Sequence, residues 1–328
     1  MAEPSSDDLL HDFSPMLRVY KDGRIDRILG TSTLPPSFDP TSGVVSKDVS
    51  ISSHPPVSAR LYTPRSLLDS SPSAKLPLLV YFHGGGFCIE SSSSPTYHNY
   101  LNRLVSAGNF LCVSVEYRRA PEDPLPAAFD DSWAAMKWVA SHAGGSGPDE
   151  WLNCFADLRR VFLAGDSAGA NIAHYVALRF GTSEELTGIE IEGAMLVHPF
   201  FWGSEPVEGE PKGPEISKFV EGLWSFICPD TSGIDDPRMN PAKDPDLGRL
   251  RCRRVIVFVA EKDGLRHRGV HYAEILRQSG WGGEVTVDEA KGCDHVFHLF
   301  DPGCDEAEEM MKTTVNFINA TAAAVGNN

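Results

Sequence analysis

The stretch Gly165-Asp166-Ser167-Ala168-Gly169 constrains this chain more than any other. Upstream, Arg160-Val161-Phe162-Leu163-Ala164 is a brief apolar run of strand type. Downstream, Asn171 to Phe180 carries Ile172, Tyr175, Val176 and Phe180 at helical spacing. A G-x-S-x-G between a strand and a helix is the context of a nucleophile elbow. Its turn is so tight that a side chain at Gly165 or Gly169 collides with neighbouring backbone, while Ser167 is held strained with its hydroxyl exposed. Five residues alone suit a Gly/Ser-rich loop equally well. A second motif, His83-Gly84-Gly85-Gly86, also just after a strand-like run, decides for the elbow.

Around these motifs, short apolar runs alternate with helical segments from Leu76 onward. Leu78 to Phe82, Phe110 to Val115, Ile189 to Val197, Arg254 to Ala260 and Glu284 to Glu289 read as strands. Helices are expected over about Ala127 to His142, His267 to Ser279 and Asp305 to Ala320. Strands this apolar are buried on both faces, which predicts an α/β architecture with a mostly parallel sheet between helices. Before Leu76, Arg18-Val19-Tyr20 and Arg24 to Ile28 form a hairpin at Asp22-Gly23, and Val44 to Ile51 pairs antiparallel with Ser58 to Tyr62. Leu34 to Gly43 and Ser66 to Lys75 read as loops. Residues 200–249 show no strand signal, many Pro and Gly, and an amphipathic helix over Ile216 to Ile227. Such an insertion after a strand end is a natural lid. No repeat or linker divides the sheet, so one domain spans 1–328, with 1–45 and 200–249 as cap elements.

The chemistry around Ser167 needs a base, an acid to orient it, and donors for developing charge. In this architecture the acid follows a later strand and the histidine follows the last one. Of eleven histidines, only His295 sits in the loop after the final predicted strand. His174 and His198 are assigned structural roles, and His271 a helix face. Glu261-Lys262-Asp263-Gly264 ends the Arg254–Ala260 strand, and Asp263 is chosen over Glu261 because Asp-Gly makes a turn that aims the carboxylate at the sheet edge. The order Ser167, Asp263, His295 is that of an α/β-hydrolase triad. The N–H groups of Gly85 and Gly86 approach an oxyanion closely because no Cβ intervenes. Ala168, at a helix start, adds a third donor and a favourable dipole.

Several stretches together carry a family resemblance: His83-Gly84-Gly85-Gly86-Phe87, Tyr117-Arg118-Arg119-Ala120-Pro121-Glu122, Leu125-Pro126-Ala127-Ala128, Gly165 to Asn171, and Asp294-His295-Val296-Phe297. They resemble the plant carboxylesterases of the hormone-sensitive-lipase group, over nearly the whole chain. The resemblance implies an α/β-hydrolase fold, a cap that includes the N-terminal segment, and hydrolysis of small esters. It puts the triad on Ser167, Asp263 and His295 and the oxyanion hole on Gly85, Gly86 and Ala168. Related proteins include 2-hydroxyisoflavanone dehydratases, alkaloid cyclases and gibberellin receptors. The receptors replace the catalytic histidine, which this chain keeps. Some cyclases depart from the oxyanion glycines or the residues flanking the serine, and neither departure occurs here. The dehydratases keep an HGGG motif and use serine or threonine, so that activity stays open.

Six residues are candidates for an apolar cleft that takes an acyl chain or a flat aromatic: Phe87, Phe200, Trp202, Trp224, Val296 and Phe297. No metal-ligand spacing or dinucleotide fingerprint implies a metal or cofactor. With a net charge of −16, nucleic acid and anionic membranes are disfavoured as partners. No apolar run approaches a membrane span, and the acidic N-terminus resembles no signal or transit peptide. Seven scattered cysteines suggest free thiols in a reducing compartment, so the cytosol is expected. The expected partner is a small-molecule ester or aromatic plant metabolite; oligomeric state stays open.

Overall fold

In the computed structural model, which describes residues 8–69, 74–210 and 213–320, the apolar runs become the centre of a nine-stranded sheet. The strands are β1 (Leu9–Phe13), β2 (Leu17–Tyr20), β3 (Ile25–Arg27), β4 (Phe38–Asp39), β5 (Val44–Ser53), β6 (Pro56–Pro64), β7 (Leu76–Phe82), β8 (Leu111–Glu116), β9 (Ala156–Asp166), β10 (Ile191–Val197), β11 (Arg254–Ala260) and β12 (Glu284–Ala290). The helices are α1 (Arg65–Leu68), α2 (Pro95–Gly108), α3 (Ala127–Ala140), α4 (Glu150–Phe155), α5 (Ala168–Thr182), α6 (Pro214–Ile227), α7 (Arg266–Gln278), α8 (Phe297–Phe300) and α9 (Asp305–Asn319).

The sheet order is β12-β11-β10-β9-β7-β8-β6-β5-β4. From β12 to β8 every neighbouring pair is parallel, and β6, β5 and β4 continue antiparallel. Burial on both faces is visible along β7. Leu78, Val80 and Phe82 enter one core with α3, α5 and α7, while Leu79 and Tyr81 enter the other with α2 and α9. Each such buried side chain contributes roughly 1.5–3 kcal/mol. The edge strand β12 is only half covered, unlike its inner neighbours.

Besides the single turns α1 and α8, two longer helices stand where no helix is read from the sequence. One is α2, between the glycine motif and β8; the other is α4, before β9. The polar stretch from Ser66 begins inside α1, whose Leu67 is buried, and its residues 70–73 lie outside the described residues. The Asp22-Gly23 hairpin forms as β2 and β3, and β1 joins them as a three-stranded antiparallel sheet. Residues 1–7 of the N-terminal run lie outside the described residues. From its remainder, Phe13 is buried and packs against Phe219 (6.3 Å) and Phe226 (5.0 Å) of α6. The N-terminal strands and the 200–249 insertion therefore meet over one end of the sheet.

Candidate active site

The parallel strands all aim their C-terminal ends at that same end, where an open α/β sheet presents its crevice. Ser167 stands between β9 and α5 at φ 53° and ψ −116°. A residue with a Cβ pays roughly 1–3 kcal/mol for such a backbone, so its surroundings must enforce it. They do: Ser167 N–H donates to the Val197 carbonyl at 2.8 Å, and the Ser167 carbonyl accepts from Phe200 N–H at 3.1 Å. Any Cβ at Gly169 would strike the Phe82 carbonyl oxygen, and one at Gly165 would strike Gly169. The two elbow glycines are thus demanded by close backbone approach.

Asp263 and His295 leave adjacent strands. Glu261 N–H donates to Ala290 O (3.0 Å) and Lys262 N–H to Cys293 O (2.9 Å), which ties the loops after β11 and β12 together. Across this seam His295 Nδ1 lies 2.8 Å from Asp263 Oδ2, and Asp263 Oδ1 accepts Leu265 N–H at 2.9 Å. A proton on Nδ1 satisfies the carboxylate and leaves Nε2 as the basic nitrogen. Glu261 instead accepts from Gly292 N–H, and the Asp294 carboxylate from His295 N–H. Desolvation opposes charging the His295 ring, but the hydrogen bond and charge of Asp263, with Asp166 and Asp294 beyond, outweigh it and raise the pKa above the ordinary histidine value. Burial works against the Asp263 carboxylate as well. Its bond to His295 still holds it below the ordinary value.

A second histidine adjoins this pair. His198, after β10, accepts Val296 N–H on Nδ1 at 2.8 Å, and its ring lies 5.7 Å from the His295 ring. Burial holds it neutral, far below the usual range. Its structural role is to anchor the backbone beside His295. Donor atoms of His198, Asp263 and His295 lie within 4.8 Å of one another, the one grouping of metal-ligand type among the described residues. Both Asp263 oxygens are taken, by His295 and Leu265 N–H, and His198 Nδ1 is taken by Val296 N–H, so Asp263 and His295 pair with each other and His198 supports the loop beside them.

The glycine motif follows β7. Gly85 and Gly86 have φ of +98° and +60°, and the Gly85 carbonyl accepts from Cys88 and Ile89 N–H at 3.0 Å each. That turns the N–H edge of the loop outward. Among the described residues no hydrogen bond is donated by the N–H of Gly85, Gly86 or Ala168. Below the loop lies a network that motif spacing does not reveal. Gly84 N–H donates to Tyr97 Oη (2.7 Å), whose own proton goes to Asp166 Oδ2 (2.8 Å). Tyr81 Oη–H donates to Asp166 Oδ1 at 2.9 Å, and Tyr117 Oη–H to His83 O at 2.7 Å. Burial pushes Asp166 up to about 6, against the two tyrosine bonds. The elbow and the glycine loop are therefore cross-linked through a carboxylate adjoining Ser167.

These parts share a cavity of about 430 Å³ lined by Gly85, Gly86, Ser167, Asp263 and His295. Its remaining wall is mostly apolar. Met16, in the turn between β1 and β2, and Leu29, just after β3, come from the N-terminal segment; Ile216, Phe219, Val220 and Leu223 come from α6. Of the six cleft candidates, Phe200 and Val296 line it; Phe87, Trp202, Trp224 and Phe297 do not. Phe87 sits at φ 61°, which turns its ring into the core against Phe129 and Phe200. Trp202 is buried beneath Arg268, whose guanidinium lies 4.8 Å from the ring centre. Trp224 faces away from the cavity, its Nε1–H donating to Thr231 Oγ1 at 2.7 Å. Phe297 opens α8 and packs into the core on the α2 and α9 face. The residues that replace them belong to the apolar stripe of α6 and to turns flanking short N-terminal strands, and nothing local marks them as pocket walls.

A model of the alpha/beta hydrolase fold matches residues 79–299. The chain is 47% identical over 311 residues to Probable carboxylesterase 2 of Arabidopsis thaliana, covering 94% of this chain and 96% of that one. It is 43% identical over 323 residues to 2-hydroxyisoflavanone dehydratase of Glycyrrhiza echinata, covering 96% and 97%. A hyperthermophilic esterase from Pyrobaculum calidifontis superposes with a TM-score of 0.69 at 28% identity, covering 86% of each chain. With a paired histidine and aspartate beside a strained serine on a mostly parallel sheet, these similarities show that the chain belongs to the alpha/beta-hydrolase fold family.

Proposed function

We propose that the protein is a serine carboxylesterase that hydrolyses small or aromatic carboxylic esters through an acyl-enzyme. The observation that carries this reading is Ser167, at a positive φ, facing one cavity with a His295–Asp263 pair 2.8 Å apart. Ser167 Oγ attacks the ester carbonyl carbon as its proton passes to His295 Nε2. Asp263 holds the imidazolium. The carbonyl oxygen, now an anion, is received by the N–H groups of Gly85, Gly86 and Ala168, each worth on the order of 3 kcal/mol in the barrier. Collapse expels the alcohol, which takes the proton from His295. A water molecule then repeats the sequence on the acyl-serine and releases the acid.

The cap follows the same reading: β1–β3 and α6 close an apolar roof that excludes water and holds the non-reacting part of the substrate. The whole chain acts as one catalytic unit. All seven cysteines are free thiols, which supports a reducing compartment, and we assign the enzyme to the cytosol. Among the described residues no helix is long and apolar enough to cross a membrane.

Identity to a dehydratase favours a second reading, in which the same acid–base machinery removes water from a hydroxylated aromatic substrate. The two separate in one experiment. Purified protein and its Ser167→Ala variant are assayed with 4-nitrophenyl acetate and with a 2-hydroxyisoflavanone. Ester turnover that falls about 10⁶-fold in the variant supports the esterase. Retention of a tenth of the wild-type rate refutes Ser167 as nucleophile, and efficient dehydration with negligible ester turnover refutes the esterase in favour of the lyase.

A further inference from the structure

The segment leaving the glycine loop, Cys88-Ile89-Glu90, has features that neither the nucleophile nor its proton relay uses. Glu90 stands at φ +67°, a left-handed backbone that disfavours any residue with a Cβ. Two arginines hold it there. Arg27 Nε donates to the Cys88 carbonyl at 2.7 Å, and Arg119 Nη1 donates to the Glu90 carbonyl. Arg27 is itself fixed by Glu122 (2.8 Å) and by the Ala120 carbonyl (3.1 Å). On the opposite side the Gly30 backbone lies so close that any side chain at position 30 would strike Glu90. The root of the Glu90 side chain is thereby locked, and the residue lines the cavity that holds Ser167 and His295.

Its carboxylate lacks what a carboxylate so placed requires. Oε2 is closed off from solvent and accepts no hydrogen bond among the described residues. The polar groups nearby are committed elsewhere: Tyr97 Oη–H donates to Asp166, and Arg119 serves the Glu90 backbone. Of the other residues lining the cavity, Met16, Leu29 and Ile89 offer no side-chain donor, and no bond from the Thr96 hydroxyl to Glu90 is found among the described residues. A buried acceptor without a donor is costly, and a cavity needing only an apolar wall gains nothing from an acid there. Glu90 as a whole is only part-buried and no hydrogen bond to Oε1 is found among the described residues, so a strained, clamped backbone holds in the cavity wall a carboxylate whose Oε1 is left to a group on the ligand.

We propose that Glu90 determines specificity: its carboxylate accepts a hydrogen bond from a hydroxyl group on the ester substrate, so that hydroxylated esters are selected over their methoxylated or unsubstituted counterparts. The inference rests on the esterase reading of the same cavity. A hydroxyl fits better than an ammonium group, because the remaining wall is apolar and a neutral donor leaves water at lower cost than a cation. A site built to pair a substrate hydroxyl discriminates strongly against analogues that leave it unpaired, and about 10-fold or more in kcat/KM is expected.

The test uses the full-length protein and two ester sets. In the first the hydroxyl is on the alcohol side: 3-hydroxyphenyl, 3-methoxyphenyl, phenyl and 3-(aminomethyl)phenyl acetate. In the second it is on the acyl side: methyl 4-hydroxyphenylacetate and methyl 4-methoxyphenylacetate. The readout is the ratio of kcat/KM between hydroxylated and methoxylated members within each protein, so a general loss of activity cancels. Wild type is expected to show a ratio of about 10 or more in one set. Glu90→Gln, of equal size, should lower it several-fold, and Glu90→Met should bring it near one. A preference arising from size alone would persist in Glu90→Met and overturn the proposal. So would a wild-type ratio near one in both sets, or a stronger preference for the aminomethyl ester. If Glu90→Met does not fold, as judged by circular dichroism, the Glu90→Gln ratio decides by the same criterion. Hydrolysis of none of these esters refutes the esterase reading itself, whereas hydrolysis of all of them without preference refutes only the role of Glu90.

Discussion

Replacing Tyr97 with phenylalanine removes one oxygen and tests whether the network beneath the glycine loop positions the oxyanion donors. That oxygen accepts Gly84 N–H at 2.7 Å and donates to Asp166 at 2.8 Å. Without it the buried Gly84 N–H has lost its acceptor, which costs about 1–3 kcal/mol. Unless water enters, the loop relieves this cost by moving, and Gly85 and Gly86 move with it. Loss of a whole oxyanion donor costs about 3 kcal/mol, so a displaced loop should lose part of that. A 10- to 100-fold fall in kcat for 4-nitrophenyl acetate is expected, with a smaller change in KM. Asp166, left with one tyrosine donor, should titrate above its present value of about 6. Tyr81→Phe is the control. It removes the 2.9 Å bond to the other Asp166 oxygen without touching Gly84. A merely structural role predicts that both variants lose stability and activity alike; a positioning role predicts that kcat falls much further in Tyr97→Phe. A folded Tyr97→Phe enzyme with kcat within twofold of wild type would refute the reasoning.

Two further outcomes follow from the same geometry. The proposed mechanism needs His295 neutral, and its pKa is raised, so kcat/KM should rise with pH through an apparent pKa above the ordinary 6.5 and fall at lower pH as the imidazolium forms; a rate flat from pH 5 to 8 with chemistry limiting contradicts this. Phe13→Ala empties the contact between β1 and α6, so kcat/KM for 4-nitrophenyl octanoate should fall about fivefold more than for the acetate, since binding energy from the remote chain is what a cap supplies; equal losses on both esters refute the cap.

What was legible in the sequence was local. Strands β7 and β11 are short apolar runs with their own boundaries, as is the later half of β9, residues 161–164, whereas its polar start from Ala156 is not read as strand. Gly165 to Gly169 announces a turn whose physics is complete within five residues. Helix α2 was not legible, because it buries His98 and Asn102 alongside Leu101 and Leu104 and so blurs its apolar stripe. The cleft candidates show a second limit. A strand end places an aromatic residue near the site without fixing which way it points, and a single positive φ sends Phe87 into the core. Met16 and Leu223 meet over Gly86 from segments about two hundred positions apart, a contact that no periodicity encodes. The Tyr81–Asp166–Tyr97 network is likewise tertiary: the parallel register of β7 and β9 brings Tyr81 to the elbow, and α2 brings Tyr97.

The central claim is that Ser167 becomes covalently acylated. Intact-mass measurement after incubation with a 4-nitrophenyl organophosphate tests it directly, because the phosphoryl group stays on an activated serine after the nitrophenolate leaves. One adduct per chain is expected, mapped by peptide digestion to Ser167 and absent from Ser167→Ala. An unmodified chain, or an adduct on any other residue that persists in Ser167→Ala, would contradict it.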